Sequence, residues 1–167
     1  MNPHLIGKKY DQLAKSWDKH HKSSEYGVKQ IEQAIQFCVN KNKALDVGCG
    51  TGGRLIKLLK NNGFTVNGID VSKQMIALAK QNHPSEQFDI ADICHWETQD
   101  KFDFIMAWDS IFHLSLCMQK PVITKLCNLL SKNGVLIYTF GDVYGEHIND
   151  GFLYCLLYTS PSPRDRG

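Results

Sequence analysis

Residues 44–56 read Ala-Leu-Asp-Val-Gly-Cys-Gly-Thr-Gly-Gly-Arg-Leu-Ile, which is a short apolar run, a glycine cluster and then apolar residues at helical spacing. This order predicts a strand, a tight turn and a helix. Because glycine has no Cβ atom, the backbone of such a turn can approach a small molecule closely. The free N–H groups at the start of the next helix point to the same place. We therefore expect a ligand-binding loop here, although a turn that only joins strand to helix has a similar composition.

The spacing of the glycines is that of a dinucleotide-binding loop, since Gly48, Gly50 and Gly53 satisfy G-x-G-x-x-G. Taken alone this spacing is a weak signal. Asp46 makes the signal more specific, because a carboxylate two residues before the first glycine repels a pyrophosphate and attracts an ammonium or sulfonium group. The loop is therefore expected to bind a cationic ligand.

The segment Leu-Asp-Val-Gly-Cys-Gly-Thr-Gly, residues 45–52, resembles the first motif of class I S-adenosylmethionine-dependent methyltransferases. The resemblance implies S-adenosyl-L-methionine as the cofactor, a molecule with an adenosine, an amino-acid end, a sulfonium and no phosphate. It assigns five residues of this loop to cofactor binding: Asp46, Gly48, Cys49, Gly50 and Gly52.

Size and composition limit the function classes. A chain of 167 residues suffices for one domain with a core, and its 43% apolar and 22% charged content is typical of soluble globular proteins. It contains neither an apolar run long enough to span a bilayer nor a signal-peptide pattern, so we expect a cytoplasmic protein without membrane contact. A net charge of +2 with scattered lysines argues against nucleic-acid binding, and six cysteines without C-x-x-C spacing predict reduced thiols and no metal site. The oligomeric state is not predicted.

A first amphipathic helix is predicted from about residue 5 to residue 19, because Tyr10, Leu13, Ala14 and Trp17 recur at i, i+3, i+4 and i+7. Leu13 and Ala14 are expected to face the core. The stretch Tyr-Asp-Gln-Leu-Ala-Lys-Ser-Trp-Asp is similar to the amino-terminal segment of many small methyltransferases, where the helix covers the cofactor. The resemblance implies that Tyr10 and Trp17 face the sulfonium, which an aromatic ring attracts. The alternative is that both are part of the core stripe.

The connection after this helix is predicted to be exposed at His20 and His21, since no carboxylate or cysteine stands at metal-ligand spacing from them. A second helix is predicted from about residue 25 to residue 39, with Ser24 as its N-cap. It is expected to pack on the sheet.

A second strand ends at Asp70, 20 residues after Gly50. In dinucleotide-binding folds an acid at this distance hydrogen-bonds the ribose hydroxyls, and adenosine carries the same ribose. A solvated acid at the strand end is the alternative. The continuation Val-Ser-Lys-Gln-Met resembles that of the family and implies that Val71 and Met75 belong to the cofactor site, with Met75 near the adenine. Ser72 is predicted to cap the next helix.

The third strand ends near Asp92, and Asp92 followed by Ile93 matches the Asp-aliphatic pair of the family. The resemblance implies that the carboxylate accepts a hydrogen bond from the adenine amino group while Ile93 packs on the ring. A turn acid after a strand is the alternative.

The fourth strand, residues 102–108, is almost continuously apolar, as is typical of a strand covered on both faces. Ligands bind outside the carboxyl ends of parallel strands, so Trp108 is assigned to the cofactor site and the acceptor is expected beside it. Asp109 and His113 are the candidate catalytic residues, since they share a helical face if a turn forms and imidazole titrates near neutral pH. A histidine with a purely structural hydrogen bond is the alternative.

A helix over residues 116–131 and a fifth strand over residues 135–140 complete the alternation of helix and strand. Pro121 is expected to be tolerated only if it lies in the first turn of that helix. The pattern predicts an α/β fold with a doubly wound, mostly parallel Rossmann-like sheet. We divide the chain into amino-terminal helices, residues 1–42, and a cofactor-binding domain, residues 43–153.

Class I methyltransferases usually carry a further helix and two more strands, and the residues after Gly151 are not expected to supply them. The closing run Thr-Ser-Pro-Ser-Pro-Arg-Asp-Arg-Gly has no period and is typical of a translated sequencing adapter. We therefore expect residues 154–167 to be a non-native or disordered tail on a truncated chain. An unpaired fifth strand at the sheet edge then predicts poor solubility.

The resemblance implies methyl transfer from S-adenosylmethionine to an oxygen, nitrogen or sulfur atom of a small-molecule acceptor. Two alternatives remain open at this point. One is an NAD(P)-dependent oxidoreductase with the same glycine spacing, and the other is a catalytically inactive binding domain on the same fold.

Overall fold

The computed structural model describes residues 3–21, 23–140, 145–149 and 152–156. Five strands form the central sheet: β1 Lys43–Val47, β2 Thr65–Asp70, β3 Gln87–Ile90, β4 Phe102–Ala107 and β5 Leu130–Tyr138. All neighbouring strands are parallel, in the order β3-β2-β1-β4-β5. The predicted Rossmann-like sheet is confirmed, and the strand order reverses between β1 and β4, where such sheets bind ligands.

Helices cover both faces of the sheet: α1 Pro3–His21, α2 Val28–Ile35, α3 Arg54–Asn61, α4 Lys73–Asn82 and α5 Leu116–Leu129. On one face, the core joins the strands to α2, α3 and α4. On the other face, α5 packs on the alternate side chains of the same strands. A 3₁₀ turn, Ile111–His113, follows β4. Because every residue of β4 is buried between these layers, its almost continuous apolar sequence is explained.

The start of α2 differs from the prediction, because Gly27, and not Ser24, is the N-cap. Gly27 has φ 80°, and a Cβ atom there would lie 2.8 Å from the indole of Trp108. This close packing fixes a left-handed turn that only glycine adopts easily, so the helix begins at Val28. The hydroxyl of Ser24 instead accepts a hydrogen bond from the N–H of Tyr26 at 3.2 Å.

Helix α5 also differs from the prediction, which tolerated Pro121 only in the first turn. Pro121 is the sixth residue of α5 and thus lies beyond the first turn, yet the helix continues to Leu129. Val122 and Leu126 of the same helix are buried in the core, and this packing outweighs the missing N–H of proline. Strand β5 begins directly after the helix and passes through Asn133, which has φ 65°.

Two short strands, β6 Gly145–Asn149 and β7 Phe152–Leu156, follow the central sheet as a separate antiparallel pair. The residues after Gly151 thus include one strand, β7, which pairs with β6, and neither strand extends the central sheet beside β5 in the described part of the chain. The Asp150-Gly151 sequence favours a hairpin and the following residues have high β-propensity. Residues 154–156 of the predicted tail lie in β7, and residues 157–167 lie outside the described part of the chain. Within the described residues, no helix is long and apolar enough to cross a membrane.

Candidate functional site

A cleft lies at the carboxyl ends of β1, β2 and β4, with α1 on its outer side. The predicted site residues that line it are Tyr10, Trp17, Asp46, Gly48, Cys49, Gly50, Asp70, Val71, Met75, Asp92, Ile93, Trp108, Asp109 and His113. They come together because parallel strands in register bring the ends of distant sequence segments to one edge of the sheet.

The glycine loop is held against the end of β2. The N–H groups of Gly48 and Cys49 donate to the carbonyl oxygen of Ile69 at 2.8 and 3.1 Å. Gly48 has φ 77°, and a Cβ atom there would lie 2.3 Å from the Cβ atom of Ser110. The loop after β4 can approach the glycine loop this closely only because residue 48 has no side chain.

Gly52 is the predicted cofactor residue that does not line the cleft. A Cβ atom there would meet Ala79 at 3.3 Å and His83 at 3.1 Å, so this glycine permits close packing on α4. Nε2 of His83 hydrogen-bonds the carbonyl oxygen of Gly52, which makes that nitrogen the donor. Thr51 and Gly53 line the cleft in its place.

Asp46 forms the floor of the cleft and is 4% exposed. Burial raises the pKa of Asp46 to about 8; the Asp70 carboxylate also raises this pKa, and the Arg54 guanidinium opposes the rise. The carboxyl group is therefore mostly protonated at neutral pH, and a positive ligand group beside it would favour its ionised form. The assignment of Asp46 to a cationic ligand group stays a prediction.

Asp70 connects the glycine loop to the start of α4. Its carboxylate accepts hydrogen bonds from the N–H of Gly50 at 3.0 Å and the N–H of Ser72 at 2.8 Å. Burial raises the pKa of Asp70, while these N–H groups oppose the rise. Each carboxylate oxygen has a second lone pair, so the side chain can also accept from a ligand hydroxyl. Ser72 caps α4, as predicted, by accepting from the N–H of Met75 at 3.1 Å.

Asp92 and Ile93 lie in the loop after β3. One oxygen of Asp92 accepts from the N–H of Cys94 at 3.0 Å, and the other lies 2.9 Å from Nδ1 of His95. Ile93 is buried, with part of its surface on the cleft. Their predicted contact with adenine stays a prediction.

The aromatic residues of α1 face the cleft. The rings of Tyr10 and Trp17 meet edge to face with centroids 5.8 Å apart. His21, expected in an exposed connection, lies in the last turn of α1, lines the cleft and stacks on Trp17 at 3.9 Å. The expected core stripe is half right, since Ala14 is buried and Leu13 is 41% exposed. The inward face of α1 therefore keeps Tyr10, Ala14 and Trp17 of the expected stripe and leaves out Leu13.

The far end of the cleft contains the two candidate catalytic residues. Nε2 of the buried His113 lies 2.9 Å from the hydroxyl of Tyr10. Asp109 accepts from the hydroxyl of Tyr26 at 3.4 Å and has φ 51°. Burial raises the pKa of Asp109, and the hydrogen bonds from Tyr26 and Thr139 oppose the rise.

The sequence profile of the methyltransferase domain family matches residues 44–134, which include the glycine loop and most of the sheet. The chain belongs to this family. The match covers more than half of the chain, and it spans Asp46, Asp70, Asp92 and His113.

Relatives of this methyltransferase domain are known from several organisms. An uncharacterized protein of Methanocaldococcus jannaschii is 30% identical over 135 residues, which are 81% of this chain and 51% of that protein. An uncharacterized methyltransferase of Bacillus mycoides is 30% identical over 137 residues, 77% of this chain and 64% of that protein. The chain thus spans between half and two thirds of the length of these relatives.

The methyltransferase domain also resembles solved structures. Magnesium protoporphyrin IX methyltransferase from Synechocystis, with bound SAH, superposes with a TM-score of 0.71 at 18% identity, covering 86% of this chain and 74% of that one. A likeness at this identity supports the fold.

Two acids of α1 were missed by sequence reasoning. Asp11 accepts from the hydroxyl of Ser72 at 2.6 Å and from the N–H of Gln74 at 2.9 Å, at the start of α4. Asp18 accepts from the side-chain amide of Asn82 at 2.9 Å, at the end of α4. Because the two acids are seven residues apart they share one face of α1, and this spacing is the signal that could have found them.

Arg54 was also missed, although it follows the glycine cluster directly. It lines the cleft, its Nε donates to the carbonyl oxygen of Tyr26 at 2.5 Å, and its guanidinium lies 5.6 Å from the centroid of the Tyr26 ring. A cation at the first position of α3 is unfavourable, because the amino-terminal end of the helix dipole is positive. An arginine at this position is therefore the sequence signal for contacts outside the helix.

Proposed function

We propose that this methyltransferase domain transfers the methyl group of S-adenosylmethionine to an oxygen, nitrogen or sulfur atom of a small-molecule acceptor. The observation that carries the proposal is the single cleft in which a buried acid, a glycine loop, two further acids and an aromatic helix face meet. A pyrophosphate would gain nothing from the protonated Asp46 and would be repelled by an ionised Asp70, whereas an ammonium group favours the ionised form of Asp46 and the ribose of a nucleoside suits Asp70.

The residues present fit the parts of this cofactor. Asp46 would hold the ammonium group of the amino-acid end, since its pKa of about 8 falls when a cation lies beside it. Asp70 would accept from the ribose hydroxyls while keeping its N–H donors. Asp92 would accept from the adenine amino group, and Val71, Met75 and Ile93 supply apolar surface for the ring.

The acceptor is proposed to lie beside Trp108 and Tyr10. When bound, the cofactor supplies a methyl group on a positively charged sulfur, which needs no covalent intermediate with the protein. The rings of Tyr10 and Trp17 exclude water and favour the positive charge. His113 takes up the proton of the acceptor through the Tyr10 hydroxyl, to which its Nε2 is hydrogen-bonded.

Ligand binding is the first test of this proposal. S-Adenosylhomocysteine should raise the melting temperature in a concentration-dependent way, and NAD⁺ should not. The reverse result would favour an oxidoreductase and overturn the proposal.

Transfer of a labelled methyl group to a panel of alcohols, amines and thiols is the second test. Binding of S-adenosylhomocysteine without transfer to any member of the panel, in this chain and in a full-length relative, would support an inactive binding domain instead.

The role of His113 is tested with matched variants. His113→Gln should lower kcat strongly and abolish the fall of kcat at acid pH, while the KM for the cofactor changes little. Tyr10→Phe keeps the ring and removes the hydroxyl, so it should lower kcat in the same direction. An unchanged pH profile in both variants would exclude the proton role of His113.

A further inference from the structure

Lys125 of α5 reaches the loop after β3 with its ammonium group. Its Nζ lies 3.0 Å from three carbonyl oxygens, those of Ile93, Cys94 and Trp96. The side chain is partly buried between the helix and the loop. An ammonium group has three N–H donors, so each of them has one carbonyl acceptor here.

These contacts complete the hydrogen bonding of an irregular loop. The N–H groups of His95 and Trp96 donate to the carbonyl oxygen of Asp92 at 2.9 and 2.8 Å, and the N–H of Cys94 donates to its carboxylate at 3.0 Å. Asp92 thus accepts hydrogen bonds from the N–H groups of the loop, and Lys125 donates hydrogen bonds to its carbonyl oxygens. A hydrogen bond from a charged donor stabilises more than one from a neutral donor. The Lys125 side chain therefore determines much of the loop conformation.

The position of the loop matters because it carries two cleft residues. Asp92 and Ile93 line the cleft directly before and within the segment that Lys125 binds. Lys125 itself is not among the residues that line the cleft, so it acts through the loop.

We propose that Lys125 is a positioning residue for recognition of the nucleobase, which it secures by holding the Asp92–Ile93 segment at the cleft. The inference rests on the proposed function, because the base is the adenine of S-adenosylmethionine or its product. The inference predicts that loss of the Lys125 ammonium group lowers the preference for adenine over a base without the amino group.

The experiment compares Lys125→Met, Lys125→Arg and the control Lys120→Met, which changes an exposed lysine of the same helix. Calorimetry measures the Kd of S-adenosylhomocysteine and of S-inosylhomocysteine, whose base lacks the amino group. The unmodified chain and the control should prefer the adenine ligand by about tenfold or more. Lys125→Met should reduce this preference toward one, and Lys125→Arg, which keeps the charge and the donors, should retain most of it.

Hydrogen exchange without ligand supplies a second readout. The amides of Cys94, His95 and Trp96 should exchange faster in Lys125→Met, while those of β1 stay protected. If the unmodified chain binds neither ligand, the proposed function fails and the inference with it. If it prefers the adenine ligand and Lys125→Met keeps both that preference and the loop protection, the inference alone is overturned.

Discussion

Binding of S-adenosylhomocysteine should tighten as the pH rises from 6 to 7, because the proposed contact of Asp46 with the positive amino group of the ligand requires the ionised carboxylate. Burial raises the pKa of Asp46 to about 8, so its ionised fraction is about 1% at pH 6 and about 9% at pH 7. If the ligand binds the ionised form, its affinity should rise by about ninefold over this interval, or roughly 1.3 kcal/mol. The amino group of the ligand stays protonated in this range.

Calorimetry at both pH values, in two buffers of different ionisation enthalpy, measures this effect. At pH 7 the complex should release close to one proton, and the observed enthalpy should therefore depend on the buffer. Asp46→Asn is the matched control, since its amide stays neutral and keeps the shape. This variant should bind weakly, and with the same affinity, at both pH values.

The pH dependence of stability is an independent check, because stability should fall as the pH rises whereas the affinity for the ligand should rise. The raised pKa means that folded Asp46 binds a proton more tightly than the unfolded chain, so its contribution to stability falls as the pH rises from about 4 through about 8. Asp46→Asn should therefore gain stability over the unmodified chain most clearly at pH 9. Equal affinity at pH 6 and pH 7, together with no proton release, would refute the assignment of Asp46 to the cationic end of the ligand.

Three further experiments test the site and the contacts that support it. Gly48→Ala should cost about 2–3 kcal/mol in urea unfolding, because its Cβ atom would lie 2.3 Å from another side chain at φ 77°. Gly53→Ala, whose Cβ atom would lie 3.8 Å from its nearest contact, should cost only about 0.5–1 kcal/mol, because alanine is a poorer N-cap of α3 than glycine; equal losses would contradict the steric argument. Asp18→Ala and Asn82→Ala should show a coupling of about 0.5–1.5 kcal/mol in a double-mutant cycle of unfolding, since they share a hydrogen bond of 2.9 Å, and strict additivity would exclude that contact. Asp70→Asn keeps one acceptor oxygen and loses the charge, so it should weaken S-adenosylhomocysteine by about tenfold or more in calorimetry, and an unchanged Kd would remove Asp70 from the ribose site.

The parts of the fold that the sequence predicted are those set by local patterns. The strand, turn and helix around Asp46 follow from an apolar run, glycine spacing and helical periodicity, and α3 begins directly after the glycine cluster. Because the strands are parallel, their carboxyl ends meet at one edge of the sheet. The sequence alone therefore predicts that the residues after each strand line one cleft.

The features that the sequence did not predict depend on contacts between distant elements. Gly27 begins α2 because Trp108 packs against it, and this contact outweighs the capping preference of Ser24. Gly52 looks like its neighbours in the loop, yet it packs on Ala79 and His83 at the end of α4 and not on the cleft. Pro121 stays within α5 because core packing outweighs a local rule.

The packing of α1 on the rest of the domain has a consequence for turnover. Its described apolar side chains in the core are those of Ile6 and Ala14, and burial of this size stabilises by about 3 kcal/mol. Lifting the helix away would also break the hydrogen bonds of Asp11, Asp18 and Tyr10, but it would leave the strands of the central sheet paired. We expect release of S-adenosylhomocysteine to require movement of α1, so Asp18→Ala, which breaks the contact with Asn82 and alters no side chain that lines the cleft, should raise the dissociation rate.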